Sequence, residues 1–123
     1  ALLDMELHNL TDTDNLNVVA FEKETMDKLG LIPEIAPRYR ATYFSHIIGG
    51  YAAGYYSYLW AEVLDTDAFE AFKEHGVFDK NTADSFRKNI LEKGGTEDPM
   101  TLYRGFRGAD PSLEPLLKNR GLK

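Results

Sequence analysis

The stretch HIIGGYAAGYYSYLW, residues 46–60, is the most informative part of this 123-residue chain. A histidine and two glycines lead into a segment with four tyrosines and a tryptophan within ten residues. Such crowding is unusual for a surface that faces only water, because exposed aromatic side chains promote association. We expect a helix over about residues 51–64. Its periodicity would place Tyr51, Tyr55 and Tyr58 on one face.

That tyrosine face has two interpretations, and the pattern alone favours neither. Phenol hydroxyls can donate hydrogen bonds to the backbone groups of a peptide, or to a developing oxyanion. Tyrosines also pack as core aromatics whose hydroxyls reach the surface. His46, taken alone, is more typical of a buried, hydrogen-bonded core histidine than of a binding residue. Gly49 and Gly50 permit positive φ and close backbone approach to a ligand, although glycine pairs also simply connect elements.

Composition bounds the class of protein. The chain has 43% hydrophobic and 28% charged residues, which is typical of one soluble globular domain, so we expect a single unit over residues 1–123. A net charge of −6 without a basic run argues against a nucleic-acid partner. No apolar stretch approaches the roughly 20 residues that cross a bilayer. The lack of cysteine excludes disulfides and suits a reducing compartment, so we expect a cytoplasmic location.

Periodicity and capping residues in the first half predict helices. Leucines recur with helical spacing over residues 3–10, as if a helix were already in mid-course at the start. Asp14 is a good N-cap for a second helix, which Gly30 would end. Residues 38–48 fit neither the helical nor the strand period cleanly.

The second half also reads as helices joined by short loops, so the predicted fold class is all-α. A short helix carrying Phe69 and Phe72 should end at Gly76. Asp79 and Asp98 are expected helix caps, the latter before a proline suited to the first helical position. The last helix should begin nearer Pro115 than Pro111, because an internal proline interrupts a helix. Asp65 and Asp67 have the character of capping groups.

Candidate metal ligands are sparse. His8, His46 and His75 are never four residues apart, and the chain contains no HExxH motif. A catalytic zinc needs three protein ligands around an open position. The sequence therefore offers no recognisable metal site, and it lacks a cysteine nucleophile, a GxSxG turn and a phosphate-binding loop.

Several longer stretches resemble one known family. The runs PRYRATYFS and HIIGGYAAGYYSYLWAEVLDTDAF, followed by FRKNILEKGGTEDPMTLYRGFRG and LLKNRGL, are similar to the carboxy-terminal part of zinc oligopeptidases of the thimet-oligopeptidase and peptidyl-dipeptidase family. The similarity covers nearly the whole chain. Within the family, it favours the bacterial peptidyl-dipeptidases, with the oligopeptidase A group second.

The resemblance implies a fragment of the catalytic lobe of a larger, two-lobed helical peptidase that admits short peptides. By position, His46 matches a substrate-binding histidine, Tyr51 a tyrosine of the glycine-rich loop, and Tyr58 the tyrosine that donates to the oxyanion. Tyr55 matches a further substrate-contacting tyrosine. The flexible-loop glycines of the family are matched by Gly49, Gly50 and Gly54.

The family's zinc-binding HExxH helix has no counterpart in this sequence. The resemblance therefore implies a parent enzyme with zinc, and a 123-residue chain that binds none and is inactive by itself. The remainder of the catalytic domain would be its partner, and the isolated chain could form oligomers. An alternative hypothesis is a stand-alone helical module that binds peptides without catalysis, and a third is a helical interaction domain with aromatics in its core. Peptide sequence preference, and the choice between dipeptide release and internal cleavage, stay open.

Overall fold

A computed structural model describes residues 1–123 as an all-helical chain without strands, which confirms the predicted fold class. The chain divides into two compact units, Ala1–Tyr58 and Leu59–Lys123. The single unit expected over residues 1–123 remains a prediction. The α-helices are α1 (Leu2–His8), α2 (Val18–Lys28), α3 (Ser57–His75), α4 (Lys80–Phe86), α5 (Pro99–Arg107) and α6 (Glu114–Asn119).

The start of α2 differs from the prediction, and its end agrees. Asn17, not Asp14, is the N-cap, and its side-chain oxygen accepts a 3.0 Å hydrogen bond from the Ala20 amide. Asn15 has a left-handed backbone with φ of 61°, so the chain cannot be helical directly after Asp14. Gly30 follows the helix with φ of 69°, as a glycine that ends a helix does.

Residues 38–48 form neither a regular helix nor a strand. They contain two 3₁₀ turns, Ala41–Tyr43 and Ser45–Ile48. The buried carboxylate of Glu22 in α2 forms an ion pair with Arg40 and accepts a 3.0 Å hydrogen bond from the Ala41 amide. This carboxylate holds the backbone where the first turn begins. Because the contact comes from a distant residue, the local periodicity of residues 38–48 was ambiguous.

The helix expected over about residues 51–64 begins later and extends further. Residues 51–56 form turns, and α3 starts at Ser57, so the prediction of a helical start at Tyr51 is wrong. The chain departs from helical geometry at Ala53, whose φ of 54° interrupts a right-handed helix. The predicted short helix with Phe69 and Phe72 is the second half of α3. Gly76, with φ of 115°, follows its last residue.

The capping interpretation of Asp65 and Asp67 is also wrong, because both lie inside α3. Asp67 is buried, and its Oδ2 accepts a 2.5 Å hydrogen bond from the Tyr103 hydroxyl. Arg107 Nε lies 3.3 Å from the same oxygen, and its guanidinium also pairs with Glu74. The buried carboxylate thus joins α3 to α5 within the second unit.

The capping predictions for Asp79 and Asp98 are confirmed. Asp79 Oδ2 accepts a 2.7 Å hydrogen bond from the Thr82 amide at the start of α4. Asp98 Oδ1 accepts a 3.0 Å bond from the Thr101 amide at the start of α5. The final helix begins at Glu114, one residue before Pro115, as expected.

A widened turn follows α4 directly. Residues Arg87–Leu91 form a π-helix, in which the Glu92 amide donates to the Arg87 carbonyl at 2.9 Å. Gly105 of α5 passes this turn closely, since a Cβ at that position would lie 3.1 Å from Asn89 Oδ1. Within the same unit, side chains that include Phe86, Ile90 and Leu102 line a cavity of about 600 Å³.

No helix of the structure combines the length and apolar character that a membrane span requires.

Candidate functional site

Six ring side chains of the first unit gather into one group, which we call the aromatic cluster. Neighbouring ring centroids in it are 4.8 to 6.2 Å apart. Its members are Tyr39, Phe44, His46, Tyr51, Tyr55 and Tyr58. The cluster contains all four predicted aromatic site residues, and it adds Tyr39 and Phe44, which sequence reasoning did not single out.

Three of the predicted residues surround a common point. The His46 ring centroid lies 6.1 Å from that of Tyr51 and 6.2 Å from that of Tyr58, and the two tyrosine rings are 5.2 Å apart. The side chains of Tyr51 and Tyr58 are 43% and 47% exposed, so a bound molecule can reach both phenols. The two tyrosines are therefore not sealed in an interior, and their exposure fits both a binding surface and core aromatics whose hydroxyls reach the surface.

Tyr55 has a different environment. It is half-buried, and its ring centroid lies 4.8 Å from the buried Phe44, 5.3 Å from His46 and 4.9 Å from Tyr58. Tyr55 therefore packs between the buried side of the cluster and the exposed phenol of Tyr58. In this conformation the Tyr55 ring packs against its neighbours in the cluster, and part of its surface also stays accessible to a bound molecule.

The predicted glycines of the loop do not supply a left-handed backbone. Neither Gly49 nor Gly50 has positive φ, and a Cβ at either position would meet no atom within 4 Å. Gly54 is half-buried, with the Tyr51 carbonyl oxygen 3.6 Å from where its Cβ would be. The left-handed residue of this loop is Ala53. The expected conformational role of the glycine pair is therefore not seen in this structure.

The phenol of Tyr58 and the imidazole of His46 each have an unusual polar environment. Hydrogen bonding with the Tyr51 side chain, followed by desolvation, raises the pKa of Tyr58 to about 12. Tyr58 thus keeps its proton at neutral pH and can act as a hydrogen-bond donor. The Nδ1 atom of His46 is buried and has no hydrogen-bond partner, which is uncommon for a buried polar atom. Because this atom has no accessible surface, a bound molecule cannot reach it unless the surrounding side chains move.

One residue that positions the site was missed by sequence reasoning. Asp4 in α1 is completely buried, and its two carboxylate oxygens accept hydrogen bonds from the amides of Ala53 and Tyr55, each at 3.0 Å. The separation of about 50 positions leaves no local pattern that could have indicated the contact. The only sequence signal is an aspartate on the apolar side of an amphipathic helix.

Comparison with known proteins identifies the class. The chain belongs to peptidase family M3, whose model matches residues 1–122. It is 44% identical to dipeptidyl carboxypeptidase of Escherichia coli over 99% of this chain. It is also 57% identical to oligopeptidase A of the same species over 65% of this chain, and 42% identical to oligopeptidase A of Haemophilus influenzae over 98%.

The chain spans 18% of the length of the dipeptidyl carboxypeptidase, and 12% and 18% of the two oligopeptidases. Both groups named by the resemblance are thus among its relatives, and the preference for the peptidyl-dipeptidases remains a prediction. Members of this family are generally zinc-dependent. The residues present do not fit such a site, because no three histidine, aspartate or glutamate side chains come together.

Proposed function

We propose that this chain is the substrate-binding and oxyanion-stabilising segment of a peptidase that hydrolyses short peptides. The observation that carries the proposal is the arrangement of the exposed Tyr51 and Tyr58 beside the half-buried His46. Family membership supports peptide hydrolysis by the parent protein. Zinc and the group that activates water would be held by residues outside this chain.

In this proposal Tyr58 is the oxyanion donor. An acyl-transfer reaction develops negative charge on the former carbonyl oxygen, and a neutral hydroxyl placed there stabilises that charge without carrying charge itself. A tyrosine phenol is protonated at neutral pH, and the raised pKa of Tyr58 extends that protonated state into alkaline solution. Its exposed position at the second residue of α3 leaves the hydroxyl accessible to substrate.

Tyr51 and His46 would bind the peptide next to the scissile bond. The Tyr51 phenol can donate to a peptide carbonyl or accept from a peptide amide. The unpartnered Nδ1 of His46 offers one further hydrogen bond, although substrate must shift neighbouring rings to reach it. The residues of the loop, Gly49, Gly50 and Gly54, together with Tyr55, would complete the contact with the peptide backbone.

The test is a Tyr58→Phe substitution in the longer peptidase that contains this segment. We expect kcat to fall by about 100-fold, in the range found when one oxyanion donor is removed, with KM changed much less. Tyr56→Phe is the matched control, because Tyr56 is exposed and makes no ring contact with the aromatic cluster. Normal turnover by Tyr58→Phe would overturn the assigned role.

The isolated 123-residue chain should not hydrolyse peptides, with or without added zinc, since it lacks a clustered set of ligands. Its affinity for short peptides tests the alternative of a stand-alone binding module: binding that Tyr51→Phe weakens, without hydrolysis, would favour that alternative. Comparing peptides with free and blocked carboxyl termini in the longer enzyme would separate dipeptide release from internal cleavage. A cytoplasmic location remains a prediction.

We also propose that the rest of the catalytic domain covers apolar side chains of this chain. Ile48 is 83% exposed and Phe78 is 97% exposed. Water-exposed apolar side chains of this size favour association. The isolated chain should therefore form oligomers, as measured by light scattering over a range of concentrations. A monomer at every concentration would contradict this expectation.

A further inference from the structure

The buried carboxylate of Asp4 makes contacts that hold the tyrosine loop in place. Asp4 Oδ1 accepts from the Ala53 amide and Oδ2 from the Tyr55 amide, both at 3.0 Å. Neither amide has a backbone acceptor. A carboxylate with no exposed surface is tolerated only when its oxygens are hydrogen-bonded, and bonds to an ionised acceptor are stronger than neutral ones.

A third group fixes the carboxylate from its own helix. His8 lies one turn after Asp4 in α1, and its Nδ1 is 2.9 Å from Asp4 Oδ1 and 2.8 Å from the Asp4 carbonyl oxygen. The imidazole therefore limits rotation of the carboxylate, so that both oxygens stay directed at the loop amides. Asp4 belongs to a helix, which is a more rigid support than the turns it contacts.

The contacted backbone needs such support. Ala53 has φ of 54°, in the left-handed region that costs an alanine free energy and persists only where surrounding contacts hold it. The Gly54 amide donates to the Tyr51 carbonyl at 2.9 Å, so the chain turns sharply here. This turn directs the amides of Ala53 and Tyr55, two residues apart, toward a single carboxylate.

The same turn sets the position of the exposed rings. Tyr55 carries one of the held amides, and its ring is 4.9 Å from Tyr58 and 5.3 Å from His46. The Ser57 amide donates to the Gly54 carbonyl at 3.0 Å, which connects the turn to the first residue of α3. A shift of the turn would therefore move the Tyr55 ring and the helical start that carries Tyr58.

We propose that Asp4 is a positioning residue for the aromatic cluster: its carboxylate clamps the backbone at Ala53 and Tyr55 and so sets where the Tyr58 phenol stands. Asp4 has no exposed surface and so does not touch substrate. Its effect on turnover rests on the function proposed above, whereas its effect on the loop does not.

The test is amide hydrogen exchange of the 123-residue chain, resolved residue by residue by NMR. Because Asp4 is their only acceptor, the Ala53 and Tyr55 amides should exchange at least about tenfold more slowly than in an unstructured peptide. In Asp4→Asn the side chain keeps one acceptor oxygen, so at least one of the two amides should lose about tenfold of that protection.

Asp12→Asn is the matched control. The Asp12 carboxylate is exposed and accepts only the Asp14 amide, at 2.9 Å, so its loss should leave the two loop amides protected. Unprotected Ala53 and Tyr55 amides in the unsubstituted chain would overturn the clamp, even if Asp4→Asn does not fold. An Asp4→Asn chain that loses protection equally throughout α2 would show general destabilisation and would also overturn a positioning role.

Two further readouts separate this inference from the proposed function. Release of the loop should return the alkaline titration of Tyr58 toward that of an ordinary tyrosine, which requires no substrate. In the longer peptidase, Asp4→Asn should lower kcat more than it raises KM, because it displaces an oxyanion donor. Loss of amide protection without a change in turnover would leave the clamp intact and count against the role of Tyr58.

Discussion

The ring of Tyr51 lies 5.2 Å from the ring of Tyr58, although only Tyr58 belongs to a helix. A turn, not a helical repeat, brings them together. Hydrogen bonding with Tyr51 is the largest cause of the raised Tyr58 pKa of about 12. Tyr51→Phe should therefore lower the Tyr58 pKa toward 10, as followed by ultraviolet difference spectroscopy in alkaline solution. Tyr56→Phe should leave it unchanged.

The same pair predicts how stability depends on pH. Folding raises the pKa of Tyr58, so this group stabilises the folded chain fully below pH 10 and loses that contribution as pH rises toward 12. The free energy of unfolding should decline across this window, and Tyr51→Phe should make the decline shallower. Denaturant titrations at several alkaline pH values measure it. An identical decline in both chains would contradict the assignment.

The left-handed residue of the loop gives a second prediction. Ala53→Gly relieves the steric cost of φ at 54°, which exceeds the entropic cost of glycine in the unfolded chain. We expect a rise in unfolding free energy of up to about 1 kcal/mol, measured by denaturant titration. Ala52→Gly is the control, because Ala52 has no positive φ, and it should destabilise instead. A fall in stability for both would contradict the expected strain.

The buried pair in the second unit gives a third prediction. Burial, and then the hydrogen bond to Asp67, raise the pKa of Tyr103. Tyr103→Phe deletes the 2.5 Å hydrogen bond and leaves the buried Asp67 carboxylate with Arg107 as its remaining partner. Thermal or chemical unfolding should show a loss of about 1–3 kcal/mol. Tyr43→Phe, at an exposed residue, should cost far less.

The cap of α4 gives a fourth prediction, at acid pH. The Thr82 amide and hydroxyl, which donate to Asp79, lower the pKa of this carboxylate below its ordinary value of 3.8. Its stabilising effect is therefore present above pH 3.8 and is lost as pH falls below that value. Asp79→Asn keeps a capping oxygen but cannot titrate. The unfolding free energy of the Asp79→Asn chain should depend less on pH in this range than that of the unsubstituted chain. An equal pH dependence in both chains would contradict the cap.

The parts of this chain that sequence predicted well share a physical cause: the signals are local. Asp79 and Asp98 cap helices a few residues away, and Gly30 ends one, so short-range hydrogen bonding and φ preferences decide them. Helical content follows from the same rules. The local pattern singled out the four aromatic site residues, the family resemblance supplied their expected roles, and the structure places these residues together.

What sequence reasoning missed depends on distant partners. The tyrosine spacing suggested a helix from Tyr51, but the turn held by Asp4 overrides helical propensity in that segment. Asp67 had the character of a cap because its real partner, Tyr103, lies 36 positions away. In both cases a buried carboxylate satisfies groups that no window of neighbouring residues contains.

The π-helical turn at Arg87–Leu91 has a consequence for insertions and deletions. Removing Lys88 would close this turn to the 3.6 residues of an ordinary α-helix, and the residues that remain inside the turn would change direction about the helix axis. Ile90 would then turn away from the cavity that it lines, and Asn89 would leave its place beside Gly105. At this point of the chain, the number of residues is constrained as tightly as their chemical character.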